Sequence, residues 1–369
     1  MANQNLNLSE ILSFLKQLLI IPSSAGNKDA INRVLNLAKK ELEEYQNETF
    51  ERNGVKSLLY FNSKKRPAKF KVLLNCHLDV VSGNAEQFLP IEKKGRLYGR
   101  GTIDMKAAAA AEILVFKSLA KKVHYPLGLQ IVTDEERGGF NGTGYQVEQG
   151  VRAEFVITGE GTDLQMNVER KGVLVLKLTF DTQKSAHAAY LWDGENVILQ
   201  MNKFISLLIE KYPIPKASDW KTSVNIASIE SDNKEYNKVP SKATVLLDFR
   251  HIIVDSPKQI LDFVTRNVPK NTKIEIIARG VISDINKKDP NIKIFKESIE
   301  EVLKSPATFI RKHGASDTRF LIAKGSVGVD FGPRGIGLHS NDEYVDIKSI
   351  SQYASILKNF LTKIESMIK

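Results

Sequence analysis

The sequence predicts an α/β protein: a domain with a mostly parallel sheet flanked by helices, interrupted by a smaller ferredoxin-like α+β domain. Three observations lead there. Short apolar runs at 70–76, 127–133 and 154–158 alternate with helical patterns, and each run ends at a polar cluster. Strands alternating with helices in this way build parallel sheets. From about Gly172 the texture changes to longer strand-like runs. Near 285 it returns to helix.

Taken in order, Ile11, Leu12, Leu15, Leu18 and Leu19 form one face of a first helix, with Ser9 as its expected cap. The run Phe70-Lys-Val-Leu-Leu-Asn-Cys76 reads as a buried strand ending at His77-Leu-Asp79. A Gly-rich turn at 95–101 leads into five consecutive alanines, Ala107 to Ala111, inside an unbroken helical stretch over 105–120. The runs at 127–133 and 154–158 are the next strands. Strands at 173–180, 242–250 and 273–278, with helices near 196–211 and 257–267, suggest a β-α-β-β-α-β order, the ferredoxin-like arrangement. Helices are expected again at 291–303 and from about Ile347. The domains expected are therefore 1–172 with 285–369, and an insert at 173–284.

Composition narrows the function classes. The 369 residues exceed the usual single-domain size. With 42% apolar and 26% charged residues there is ample material for a core. A single cysteine, Cys76, excludes an intrachain disulfide framework and a cysteine zinc cluster, and suits a reducing, cytoplasmic compartment. No stretch reaches the ~18 apolar residues of a membrane span, and the first ten residues lack the basic start of a secretory leader. The net charge of +10 raises the question of an acidic partner, but no basic run is longer than Lys64-Lys65-Arg66. A scattered basic surface without a motif argues against nucleic acid.

Four polar clusters sit at strand ends or in the turns that follow: His77/Asp79, Asp104, Glu135/Glu136 and Glu160. A fifth, His339 to Glu343, lies in the returning segment. Ligands of open α/β sheets bind outside the carboxyl ends of the strands. Imidazoles and carboxylates without thiolate suit a zinc, cobalt or manganese site open to substrate. A bridging carboxylate with one imidazole and one carboxylate per ion makes a two-metal site. Singly, each residue has a plainer reading. A lone histidine can be a hydrogen-bonded strand-end residue, Glu135/Glu136 a solvated turn, Asp104 a helix cap, and Cys76 a buried core thiol.

Jointly, His77-Leu-Asp79-Val-Val, Gly99-Arg-Gly-Thr-Ile-Asp104-Met-Lys, Thr133-Asp-Glu135-Glu136 and His339-x-x-Asp-Glu resemble the zinc aminoacylase and carboxypeptidase family. That family includes acetylornithine deacetylase, succinyl-diaminopimelate desuccinylase, glutamate carboxypeptidase and several dipeptidases. The resemblance implies a catalytic domain holding two Zn2+ ions, with Co2+ or Mn2+ as substitutes, and an inserted lid through which the chain forms a homodimer. It implies that His77 and Glu160 bind one ion, Glu136 and His339 the other, and Asp104 both. Asp79 would orient His77, and Glu135 would be the general base. A cis peptide after Asp104 is implied as well. In the insert, Ser185-Ala-His187 resembles the lid histidine that reaches the neighbouring subunit's site, and Asn237-x-Val-Pro and Asp248-Phe-Arg250 resemble lid residues that contact a substrate carboxylate. His313-Gly314-Ala-Ser-Asp-Thr-Arg319 resembles a pocket-lining stretch, with His313 in place of the usual first glycine. Gly161 follows Glu160 where deacylase members carry proline. Glu at 160 favours an N-acyl amino acid as substrate, with a small dipeptide second.

Overall fold

The computed structural model describes residues 7–368. Residues 1–6, part of the stretch read for a leader, lie outside them. Two units are formed. One holds the chain up to Val168, Asp284–Arg311 and the residues from Ser316 onward; the other holds Glu169–Ser283 with Lys312–Ala315.

In the first unit four strands run parallel in the order Leu127–Val132, Phe70–His77, Ala153–Thr158, Val327–Asp330. The hairpin Gln46–Arg52 and Val55–Phe61 joins antiparallel to Leu127–Val132. Leu127–Val132 is wholly buried and Phe70–His77 nearly so. Strands covered on both faces read as continuous apolar runs, which is why they were visible in the sequence. The alanine helix spans Ala107–Leu119, and all five alanines are fully buried. Their small side chains let it pack against Phe70–His77 and between helices Leu8–Leu19 and Ile347–Ile368. Phe155, Phe295, Phe331 and Phe360 meet edge-on or tilted, with ring centres 4.9–6.2 Å apart, and fill the core under helices Pro290–Leu303 and Ile347–Ile368.

Several expectations change. Asn7, not Ser9, caps the first helix: its side chain accepts from the Ser9 amide at 3.1 Å, one turn-start earlier than expected. Asp104 is no helix cap. It has extended backbone (φ −127°, ψ 90°) in an irregular turn, and the helix begins only at Ala107. The Asp104–Met105 peptide is cis. Cys76 is a fully buried free thiol. A small antiparallel sheet of Gly335–Ile336, Tyr344–Asp346, Arg96–Tyr98 and Ile91–Lys93 was not foreseen, because its strands have only two or three residues. It lays the loop bearing His339 beside the turn bearing Asp104.

The second unit has the β-α-β-β-α-β order. Its antiparallel sheet runs Ser223–Ser231, Lys242–His251, Gly172–Asp181, Lys273–Gly280, with helices Val197–Lys211 and Pro257–Asn267. Burial alternates along Gly172–Asp181 and Lys242–His251, as in a sheet covered on one face. Strand Ser223–Ser231 was missed: none of its residues is fully buried, so it lacks a strong apolar period. Among the described residues no helix is long and apolar enough to cross a membrane.

Glu112 is a carboxyl inside the first core, fully buried, accepting from the Tyr353 hydroxyl at 2.6 Å. Burial raises its pKa well above the ordinary value. Above the unfolded pKa the folded state therefore keeps a proton that the unfolded state has released, and stability falls as pH rises toward the raised value. Urea unfolding of metal-free Glu112→Gln should lose less stability than wild type between about pH 5 and about pH 8. Equal losses would show that the carboxyl is charged in the fold.

Candidate metal centre

The carboxyl ends of the parallel strands deliver the polar clusters to one edge. His77 ends its strand opposite Val132, and Thr158, paired with Asn75 and with Asp330, precedes Gly159-Glu160. A buried polar network beneath them holds the strand ends in register. Asn75 donates to Gln130 Oε1 (2.8 Å) and Thr143 Oγ1 (3.2 Å), Thr158 donates to Asn75 Oδ1 (2.9 Å), and Thr143 donates to Asp317 Oδ2 (2.6 Å). Buried hydrogen-bond networks of this kind rigidify the strands they join. Sequence reasoning passed over Asn75 and Gln130, although a lone amide in each apolar run was the available signal.

Asp104 lies between two imidazoles. Its Oδ1 is 3.1 Å from His77 Nε2 and its Oδ2 is 3.1 Å from His339 Nε2. Glu136 Oε2 is also 3.1 Å from His339 Nε2, and Glu160 Oε1 is 4.0 Å from His77 Nε2. Ligand-type atoms of His77, Glu135 and Glu160 lie within 4.8 Å of one another, and so do those of Asp104, Glu136 and His339. The six side chains thus form two adjoining groups, with one Asp104 oxygen turned toward each imidazole. The far nitrogen of His77 meets the Asp79 main-chain carbonyl at 3.0 Å, nearer than the Asp79 carboxylate at 3.5 Å. The Asp79 carboxylate thus stands beside the same nitrogen, behind the main-chain contact. The other carboxylate oxygen of Asp79 accepts from the Glu136 amide at 3.0 Å, so Asp79 braces both groups.

Glu135 begins a short turn that ends at Gly138 and Gly139, both with positive φ. A β-carbon on Gly139 would stand 2.0 Å from Asp317 Oδ1, so only glycine fits there. Arg319 donates to the Gly138 and Ser316 carbonyls and closes the turn.

The charges are unbalanced. Burial raises the Glu135 carboxyl well above its usual range, helped by Glu160, and pushes Glu136 up to about 7, helped by Asp104. Burial also opposes ionisation of Asp104, but the two imidazoles outweigh it and hold its carboxyl low. Burial opposes protonation of His77 too, yet hydrogen bonds to Asp104 and Asp79 raise its pKa; at His339 the hydrogen bond to Asp104 leads. The carboxylates crowd two imidazoles whose pKa values they raise. The donor set therefore fits divalent ions, which displace protons from such groups, since metal ligands must be deprotonated. The buried Glu136 Oε1, which has no hydrogen-bond partner, agrees.

The remaining candidates belong to the second unit. His187 is exposed and forms an isolated bridge with Lys238, and the Asn237 carbonyl accepts from the Ala188 amide at 2.7 Å, so these two segments run side by side. Arg250 does not stand free: its Nη2 is 2.9 Å from Asp248 Oδ2. Gly314, expected in the larger domain, packs with the second unit, where its carbonyl accepts from Arg170 at 2.7 Å.

Comparison with known proteins shows the family. The chain is 27% identical over 325 residues to a succinyl-diaminopimelate desuccinylase of Wigglesworthia glossinidia brevipalpis, covering 80% of this chain and 84% of that one. In fold it is similar to aminopeptidase PepT of Bacillus cereus (TM-score 0.78, 17% identity, 98% and 99% covered). A metallo-carboxypeptidase of Sulfolobus solfataricus is similar as well (TM-score 0.76, 19% identity, 97% and 99% covered). The model of peptidase family M20/M25/M40 matches residues 73–363. The chain therefore belongs to that metal-dependent family, and it is a hydrolase acting on amide C–N bonds.

Proposed function

We propose that the protein hydrolyses the amide of a small N-acylated amino acid, in a reaction of the deacetylase or desuccinylase type, using two divalent metal ions. One observation carries this reading: a single carboxylate, Asp104, with one oxygen turned to each of two imidazoles, and a further carboxylate beside each. The name of the desuccinylase relative supports an N-succinyl or similar N-acyl substrate. His77 and Glu160 would hold one zinc ion, Glu136 and His339 the other, and Asp104 both.

Bound there, the ions supply Lewis acidity and acidify the attacking water. The chain supplies the rest. Glu135, whose carboxyl is buried beside Glu160, accepts the proton of the attacking water and passes it to the leaving amine nitrogen. Asp79 fixes the His77 ring and the Glu136 main chain. Asn237, Arg250 and Gly314 bind the substrate's carboxylate end. Arg250 does so by exchanging Asp248 for substrate, as a guanidinium fork can. His187 of a second copy, in a lid-mediated homodimer, stabilises the oxyanion.

The zinc- or cobalt-loaded protein, offered N-acetyl and N-succinyl amino acids and dipeptides, should release free amine fastest from the N-acyl compounds. Faster dipeptide cleavage would favour a dipeptidase or carboxypeptidase, and hydrolysis of none would indicate a metal-binding protein without this activity. Glu135→Ala should lower kcat by roughly 10²–10⁴ with metal content near normal. A parallel loss of metal would make Glu135 a ligand instead of the base. Mixing two inactive variants, Glu135→Ala and His187→Ala, tests the shared site. Heterodimers would have one complete site, so about a quarter of wild-type activity should return. No recovery after subunit exchange would place His187 outside the partner's site.

A further inference from the structure

Arg100 and Glu343 form a buried ion pair beside the metal centre, at 3% and 2% exposure and 2.6 Å apart. Such pairs are a poor source of stability, because desolvation offsets their attraction. Their remaining contacts indicate another purpose. Glu343 Oε1 accepts from the main-chain amides of Ile103 (3.0 Å) and Asp104 (3.3 Å). Arg100 Nη2 donates to the main-chain carbonyl of His339 at 3.3 Å. The Glu343 carbonyl accepts from the Gly99 amide at 3.1 Å, which closes the clasp.

The residues joined in this way lie more than 230 positions apart in the sequence and face the same ion group. His339 has a side chain 53% exposed and a backbone at φ +62°, a region that non-glycine residues seldom occupy. Little side-chain packing holds its ring. The hold on its own backbone comes from Arg100.

We infer that Arg100 and Glu343 are positioning residues for the ion held by Asp104, Glu136 and His339, and set the affinity of that ion in preference to the one beside His77 and Glu160. This rests on the metal reading above. Contacts that orient ligands typically change metal affinity by roughly 10–100-fold.

The test is chelator competition on the purified protein, read as the dissociation constant of each ion, with circular dichroism of the metal-free form alongside. Arg100→Lys keeps the charge but has no fork to serve both the carboxylate and the carbonyl. Glu343→Gln keeps the shape but not the charge. Each variant should weaken the ion beside His339 by roughly 10–100-fold and the other, which shares only Asp104, by clearly less. A folded variant that binds both ions as wild type does, or weakens both equally, overturns the inference. Should Glu343→Gln fail to fold, Arg100→Lys decides alone. Wild-type protein that takes up fewer than two ions overturns the two-metal reading itself, and this inference with it.

Discussion

Everything around the centre depends on keeping one carboxylate between two imidazoles. Asp104 has a histidine 3.1 Å from each oxygen, while Asp79, Glu135, Glu136 and Glu160 crowd the same space. Like charges this close cannot all stay ionised without positive charge among them. The pKa values of both imidazoles and of Glu135 and Glu136 are raised, and divalent ions are the chemistry that would meet the same demand. The neighbourhood is built to prevent its relaxation. Lys106, fully buried two residues on, donates to the carbonyls of Leu18 (3.0 Å) and Ile21 (2.8 Å) and ties the Asp104 turn to the end of the first helix.

The scaffold translates that demand into ordinary core chemistry. Parallel strands must be covered on both faces, so the sheet offers its candidate donors from strand ends and the turns and loops beside them. The alanine helix allows close packing behind the Asp104 turn, and the amide-hydroxyl network of Asn75, Gln130, Thr143 and Thr158 locks neighbouring strands together.

Much of this was legible along the chain. Buried parallel strands appear as unbroken apolar runs, and the helices at Val197–Lys211 and Pro257–Asn267 begin close to where the sequence put them, under the caps Asn196 and Ser256 that were not read. Weakly patterned elements stayed hidden. Ser223–Ser231 has no buried residue, and the hairpins of two- and three-residue strands in the small sheet are joined by a pairing of residues far apart in the chain. Arg250 shows a similar limit: its type suggests carboxylate binding, but only the fold reveals that Asp248 already occupies it.

The sequence by itself determined the kinds of donor and their order: two histidines and several carboxylates, each following a strand or a turn, with a single cysteine that keeps thiolates out of the set. Those facts follow from residue chemistry and local periodicity. Tertiary structure decided how the donors are grouped, that the nearest Asp79 contact of His77 is main chain, and that Arg100 and Glu343 join Asp104 to the distant His339. The reason is physical. Long-range contacts between main-chain groups leave no pattern along the chain, because every residue carries the same amide and carbonyl.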